Sequence, residues 1–88
     1  MANAAPVFIS QGIRIADCRS MGSSGAHLRF KLKQGASLWD GVAFGMGERA
    51  VDVQLPLDIV YNLEQDDWNG ETRLRLNILD FAQTGINI

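Results

Sequence analysis

Apolar and polar residues alternate in several short segments of this chain, and residues 38–44 form a further apolar run. The clearest is HLRFKLK at residues 27–33, in which every second residue is apolar and the residues between them are polar or basic. Period-two patterning of this kind places one row of side chains against a core and the other row toward solvent. We therefore predict strands at Ile13–Arg19, His27–Lys33, Ser37–Phe44, Leu57–Leu63 and Arg73–Ile78.

The connections are predicted from their glycine and polar residues. A β-bulge near Ala16–Asp17 would return small apolar residues of the first strand to the core. Residues 45–50 form a turn that opens a short helix, between the third and fourth strands. Residues 64–71 form an acidic loop that ends in Asn69-Gly70, a strong hairpin signal.

The folded domain is predicted to span residues 7–81. Val7–Ile9 is a short apolar anchor, which Gly12 separates from the first strand. Residues 1–6 lack periodicity, as is typical of a disordered lead-in or an expression remnant, and residues 82–88 have the character of a tail.

Five short strands with one helical turn predict an all-β, closed barrel. An open sheet of five strands would leave two edges unpaired and one apolar face uncovered, whereas closure removes the edges and fills the interior with side chains. The five-stranded Greek-key OB-fold has this strand count and places its helix at this point, and Phe81 would plug one end. A flat sandwich and an SH3-like barrel are alternatives, because periodicity does not fix topology.

The charges of the chain are unevenly distributed. The net charge is −2, which argues against a general polyanion binder. However, residues 10–49 contain six basic and three acidic residues, for a net charge of +3, whereas residues 50–88 contain two basic and seven acidic residues, for a net charge of −5. A basic surface can therefore exist on an acidic chain.

The polar row of the second strand is the first candidate binding surface. Arg29, Lys31 and Lys33 share one face at strand spacing, and Trp39 follows on the next strand. A single nucleic-acid strand needs cations for its phosphates and flat rings for its unstacked bases. The row therefore predicts a phosphate track, although a solvated strand face with lysines at a sheet edge has the same pattern.

Two tryptophans are candidates for stacking on bases. Trp39 has the opposite parity to Val42 and Phe44, which we place inside, so its ring is expected outside; a position in the core or at the barrel rim is the alternative. Trp68 lies in the predicted loop between strands four and five, where OB-folds often contact ligands. Packing over its own turn is equally compatible with that position, and the two aspartates before it would repel phosphate.

Arg73 and Arg75 alternate with leucines in the fifth strand. They would extend the basic track, or they would pair with Glu64 or Glu71 across the hairpin, a contact worth only ~0.2–1 kcal/mol. Both interpretations fit the sequence equally well.

The sequence offers no catalytic constellation. His27 is the single histidine and Cys18 the single cysteine, so neither has the partners that a zinc site needs. The glycines of residues 45–47 lack the rest of a dinucleotide fingerprint, and the serines of residues 23–24 lack an activating base. We expect no enzyme activity, no cofactor and no membrane contact for this domain, and a reducing cytoplasmic environment that suits a lone thiol.

Three segments resemble the OB-fold domain of bacterial RecJ-type exonucleases, which are specific for single-stranded DNA. They are FISQGIRIADCRSMGSSGAHLRFKL, GVAFGMGERA and DIVYNLEQDDWNGETRLRLNILDF, and the resemblance extends over about Val7–Phe81. Its most specific parts are the HLRFKL strand, the Phe-Gly-Met-Gly turn and the hairpin before LRLNILD. The family's hairpin follows an Asn-x-Trp-x-Gly pattern, whereas residues 67–70 read DWNG, so the leading asparagine is an aspartate or lies elsewhere.

The resemblance implies a parent enzyme that degrades single-stranded DNA from its 5′ end. It would use Mg²⁺ or Mn²⁺ held by Asp and His residues of two DHH-type catalytic domains. This chain has one histidine and no Asp-His-His run. The resemblance therefore implies a single-stranded-DNA-binding domain that works beside those catalytic domains in DNA repair and recombination.

A protein-interaction or interdomain-packing module is the competing hypothesis. The acidic second half and exposed apolar residues such as Val60 and Leu79 would then dock against another domain, with little affinity for DNA. Charge reversal at Arg29 and Lys31 separates the two hypotheses. It should abolish DNA binding if the chain is a DNA-binding domain, whereas a packing module shows no DNA binding before or after the change.

Overall fold

Five strands close into a barrel. One neighbouring pair is parallel, and the other pairs are antiparallel. The computed structural model describes residues 6–49 and 51–85, apart from the side chains of Asp66 and Trp68. The strands are β1 (Phe8–Met21), β2 (His27–Gln34), β3 (Ser37–Ala43), β4 (Leu57–Trp68) and β5 (Glu71–Gln83). Their order around the barrel is β1-β2-β3-β5-β4, and β4 pairs with β1 to complete it. The predicted all-β, five-stranded barrel of the OB type is confirmed.

The apolar rows predicted from the alternation fill the barrel interior. The largest fully buried side chains are Phe30, Leu32, Leu57, Ile59 and Ile78. Phe81 is buried, as predicted, and its ring meets that of Phe30 edge to face with 5.5 Å between centroids. Each buried side chain of this size contributes about 1.5–3 kcal/mol, so the interior row holds the strands together and leaves the outer row for the surface.

β1 is one continuous strand rather than an anchor followed by a separate segment. Gly12 has a φ of 69°, and the pairing of β1 with β4 slips beside it, so the glycine bends the strand without ending it. The second irregularity, in the pairing with β2, lies between Ile15 and Asp17. Beyond it Cys18 packs against the core. The predicted bulge is therefore confirmed.

The acidic loop predicted between strands four and five is wrong. β4 runs to Trp68 and β5 begins at Glu71, so only two residues connect them. Asn69 and Gly70 have φ angles of 51° and 77°, which a tight two-residue hairpin turn requires. The acidic residues belong to paired strands that extend past the barrel interior, where Leu63 and Leu74 are 42% and 50% exposed. We call residues 63–75 the hairpin arm.

The C-terminal part of β5 extends further than predicted. Ala82 and Gln83, which the sequence assigned to a tail, pair with β4. The Thr84 N–H donates to the Pro56 carbonyl at 2.9 Å, and its hydroxyl donates to Asp58 at 2.5 Å. Residues 1–5 and 86–88, which belong to the predicted lead-in and tail, lie outside the described residues.

The helical turn predicted between β3 and β4 is wrong for the residues that the structure describes. Residues 44–49 and 51–56 contain turns and no helix. The Gly47 N–H donates to the Ala26 carbonyl at 2.9 Å, and a Cβ on Gly47 would overlap the carbonyl oxygen of Gly25. The backbone is thus held directly against the β1–β2 connection at a distance that only glycine permits.

We predict that Gly47→Ala destabilises the barrel by about 1–3 kcal/mol, because the two connections must separate to admit a methyl group. Urea unfolding measures this change. Glu48→Ala, at the exposed neighbouring position, is the control and is expected within about 0.5 kcal/mol of the parent. Equal stability of the two variants would contradict the close backbone contact.

Two aspartates near the ends of β4 and β5 are held as carboxylates. Hydrogen bonds from Thr84 and from the Gly12 N–H lower the pKa of Asp58 below its usual 3.8. A hydrogen bond from Arg49 at 2.6 Å lowers the pKa of Asp80, with help from the Phe81 N–H at 2.8 Å. Both aspartates are exposed or half-exposed, so each contribution is screened by solvent.

Stability is therefore expected to fall in acid. A carboxyl group whose folded pKa is depressed stabilises the protein fully above its unfolded pKa, near 3.8, and loses that contribution as the pH falls through the folded pKa. We predict that the unfolding free energy of Asp80→Asn declines less steeply than that of the parent below about pH 4. Urea unfolding from neutral to acid pH tests this, and parallel curves for the two proteins would contradict it.

Candidate nucleic-acid interface

The strand register places charged side chains in rows across the outside of β1, β2 and β3. Each row takes one residue from each strand, and the three rows are Arg14–Lys33–Leu38, Asp17–Lys31–Asp40 and Arg19–Arg29–Val42. The first and third rows each have two basic residues, whereas the middle row has two acids around one lysine, and Arg19 of the third row pairs with Asp17 of the middle row at 2.9 Å. The predicted phosphate track is therefore interrupted at its centre.

Lys31 differs from the other two residues of the predicted track. Its Nζ lies 2.5 Å from Oδ1 of Asp40, and the register places Asp17 on its other side. No ion pair joins Arg29 or Lys33 to any side chain that the structure describes. Of the three, Arg29 and Lys33 thus keep a charge that a phosphate could neutralise.

Arg29 meets the two arginines of the hairpin arm in one depression. This depression, which we call the arginine cleft, has a volume of about 190 Å³ and is lined by Met21, Arg29, Asp40, Val42, Arg73 and Arg75. The arginines come from β2 and β5, which are distant in sequence and are separated in the barrel only by β3. The fold thereby brings three arginines and, among the described side chains of the lining, one aspartate to the same depression.

The arm arginines also contact acids. Arg75 lies 3.4 Å from Glu64, its cross-strand neighbour, so the predicted pairing across the hairpin is confirmed for this residue. Arg73 lies 3.8 Å from Glu71, which is on the same strand. Exposed ion pairs of this kind are worth about 0–1 kcal/mol, so they order the arm weakly and a phosphate can compete for the same guanidinium groups.

Trp39 lies on the core side of β3, contrary to the predicted exposure. It pairs with Leu32, which is buried, and its half-buried ring packs against the core. Val42 is only 5% exposed, so its predicted burial is confirmed, although the register places it opposite Arg29 in the outer row. Phe44, also expected inside the barrel, is 47% exposed. The parity prediction was wrong because both rows of β3 contain apolar residues. The side chain of Trp68 lies outside the described part of the structure, so its role stays a prediction.

Trp39 lines a second depression, which we call the mouth pocket. It has a volume of about 120 Å³ and opens at one end of the barrel, with walls that include Ser10, Gln34, Trp39, Tyr61, Leu63 and Leu76. The hydroxyls of Ser10 and Tyr61 are hydrogen-bonded at 2.9 Å. Every strand of the barrel contributes to this pocket, so it is a product of closure.

The sequence interpretation missed Asp40 and misplaced Trp39, although a signal for both was present. Gln34 pairs with Ser37 across a two-residue connection, which fixes the β2–β3 register. Counting outward from that turn places Asp40 opposite Lys31 and Trp39 opposite Leu32. Tyr61 and Ser10 had no comparable signal, because a slip in each strand's pairing decides which way they point.

An apolar and acidic surface lies on the β1–β4–β5 side of the barrel. Ile9 is 70% exposed there, and Val60 pairs with it across the strands. A shallow depression of about 130 Å³ beside them includes Asp58 and Asp80. Leu79 is exposed as well, so this is the surface on which the interdomain-packing hypothesis depends.

Neither a membrane span nor a metal cluster is found in the described part of the chain. Residues 6–49 and 51–85 contain no helix that is long and apolar enough to cross a bilayer. The same residues bring no three His, Cys, Asp or Glu side chains into an arrangement that could hold a metal ion.

Comparison with known proteins identifies the family. Residues 1–80 of this 88-residue chain match the family model described as RecJ OB domain. No curated protein sequence matches the chain at a significant level. The family match covers nearly the whole chain, and the five-stranded closed barrel is the architecture that an OB domain requires. The chain therefore belongs to the RecJ OB domain family.

Proposed function

We propose that this chain binds single-stranded DNA as the OB domain of a RecJ-type 5′→3′ exonuclease that acts in DNA repair and recombination. The arginine cleft is the observation that carries the proposal. It brings Arg29 of β2 together with Arg73 and Arg75 of the hairpin arm, on the outer surface of the barrel. Guanidinium groups bind phosphate oxygens through paired hydrogen bonds, and a narrow cationic groove follows a single backbone.

The charge balance of the cleft indicates a modest affinity. Asp40 lies among the three arginines and the chain has a net charge of −2, so long-range attraction of DNA is limited. Arg29 has no ion-pair partner among the described side chains, which makes it the strongest single phosphate ligand in the cleft. Such a domain serves to hold and direct a strand that another part of the enzyme also binds.

The parent enzyme would supply the chemistry. In this proposal its catalytic domains hydrolyse the DNA with Mg²⁺ or Mn²⁺ in the cytoplasm, and this domain contributes only contacts to the strand. The family match supports the association with those domains.

Interdomain packing is the second candidate function, and one observation favours it. Ile9 and Leu79 present exposed apolar surface on the β1–β4–β5 side of the barrel, and the half-buried Val60 lies beside Ile9, next to Asp58 and Asp80. Exposed apolar surface rimmed by charge is typical of a docking site. The two surfaces share no lining residue, so both functions can belong to one domain.

We predict that the domain binds a labelled single-stranded oligonucleotide at low salt and prefers it to duplex. About three phosphate contacts in the cleft give a slope near −2 when the logarithm of the binding constant is plotted against the logarithm of the salt concentration. Fluorescence anisotropy measures both quantities. Absence of saturable binding at high protein concentration would contradict the proposal and leave interdomain packing as the better candidate.

We further predict opposite effects for two neutral substitutions in the cleft. Arg29→Gln removes one phosphate contact, so it should weaken binding several-fold and make the salt slope shallower by about 0.7. Asp40→Asn removes the carboxylate that lines the cleft beside Arg29 and releases Lys31, so it should strengthen binding several-fold.

Charge-matched variants serve as controls for these two substitutions. Arg14→Gln and Glu48→Gln make the same changes in net charge at exposed positions that do not line the cleft. We expect smaller effects from both. Equal effects of Arg29→Gln and Arg14→Gln would show that net charge or the basic rows as a whole, rather than the cleft, determine binding.

A further inference from the structure

The mouth pocket and the arginine cleft lie on either side of the same strands. Asp40 and Arg75 line the cleft, whereas their sequence neighbours Trp39 and Leu76 line the pocket. Successive side chains of a strand point to opposite faces, so the two depressions share a wall only one strand thick. A ligand held at the cleft is therefore within reach of the opening of the pocket.

The pairing of β3 with β5 leaves a way between the two depressions. The two strands pair only at Gly41↔Leu76 and Val42↔Asn77. No backbone pairing joins Ser37–Asp40 of β3 to the residues of the hairpin arm that precede Leu76. A chain that lies along the cleft can thus turn a side group toward the mouth of the barrel.

The walls of the pocket suit a flat, partly polar ring. Trp39 and Tyr61 offer aromatic surface, and Leu63 and Leu76 offer aliphatic surface. Ser10 and Tyr61 present two hydroxyls 2.9 Å apart, and Gln34 adds an amide at the rim. Hydroxyls and amides both donate and accept hydrogen bonds, as the edge of a nucleobase requires.

The size of the pocket restricts the ring. Its volume of about 120 Å³ is close to the ~150 Å³ of an engineered apolar cavity that admits one benzene ring. A single six-membered ring fits such a space, whereas part of the fused rings of a purine would remain outside it. The size of the pocket thus favours a pyrimidine.

We propose that the mouth pocket binds one unstacked pyrimidine base of the strand whose phosphates occupy the arginine cleft. This inference rests on the proposed DNA-binding function. In this proposal the base binds inside the barrel at its open end, whereas the phosphates bind on the outer face of β2 and β3.

The emission of Trp39 tests the proposal directly. In a Trp68→Phe background Trp39 is the sole tryptophan, and it is titrated with three oligonucleotides of equal length: oligo-dT, oligo-dA and an abasic strand with the same phosphates. We expect oligo-dT to quench Trp39 and to bind roughly tenfold or more tightly than the abasic strand, as one stacked base provides. Oligo-dA should quench less.

A pocket-filling variant and its control complete the experiment. Leu63→Phe narrows the pocket and should lower the affinity for oligo-dT toward that for the abasic strand. Leu74→Phe makes the same change at an exposed position of the arm that does not line the pocket, and it should leave the difference intact. If Leu63→Phe does not fold, the proposal is decided by the protein with the unaltered pocket. The deciding results are the change in Trp39 emission and the affinity for oligo-dT relative to the abasic strand.

The outcomes separate this inference from the function on which it rests. Arginine-dependent binding of oligo-dT without a change in Trp39 emission, or with an affinity equal to that of the abasic strand, overturns the pocket and leaves the DNA-binding function standing. Absence of binding to every oligonucleotide overturns the function and the pocket together.

Discussion

The barrel closes through a seam of two residue pairs between β3 and β5, and the rest of the molecule depends on that seam. Gly41 lies in it, and a Cβ at this position would approach Cδ1 of Ile78 to 2.9 Å. Any side chain at this position would displace the end of the Ile78 side chain, so glycine lets Ile78 fill the interior while the two strands stay in hydrogen-bonding contact. Because the seam is so short, the strands are free to separate beyond it. The arginine cleft and the mouth pocket lie where that separation occurs.

The hairpin arm provides both an apolar surface and a cationic surface at this opening. β4 and β5 continue past the barrel interior, so the alternation that buries Leu76 and Ile78 leaves Leu63 and Leu74 largely exposed. The opposite face of β5 presents Arg73 and Arg75 to the cleft. Burying an apolar side chain would contribute about 25 cal/mol of stabilising free energy for each Å² removed from water. Apolar side chains that stay exposed are typical of a ligand-binding surface. Single-stranded DNA would complement both surfaces, because its phosphates are anionic and its base faces are apolar.

The distribution of charge explains how an acidic chain can present a cationic site. The cross-strand rows of β1, β2 and β3 gather positive charge on one side of the barrel, while Asp58 and Asp80 lie on another. Within the cationic side, Asp17 and Asp40 flank Lys31 and break the surface into separate patches. For the proposed function this limits the affinity of the isolated domain, since fewer adjacent phosphates can be neutralised. It also explains why spacing along β2 alone overstated the predicted phosphate track, because the neighbouring strands supply the acids.

The sequence by itself determined the interior of the barrel and the position of its bulge. The alternation in HLRFKLK is unambiguous, since one row is wholly apolar and the other wholly polar or basic, and burial follows from it. The orientation of Trp39 was decided only by the tertiary structure, because β3 has apolar residues in both rows and pairing with Leu32 selects the inner one. The length of the hairpin arm was decided in the same way. Its acidic residues have low strand propensity, and the pairing of β4 with β5 overrides it. Local pattern specifies which face of a strand is apolar, whereas the meeting of Arg29 with Arg73 and Arg75 depends on closure of the barrel, which no local pattern contains.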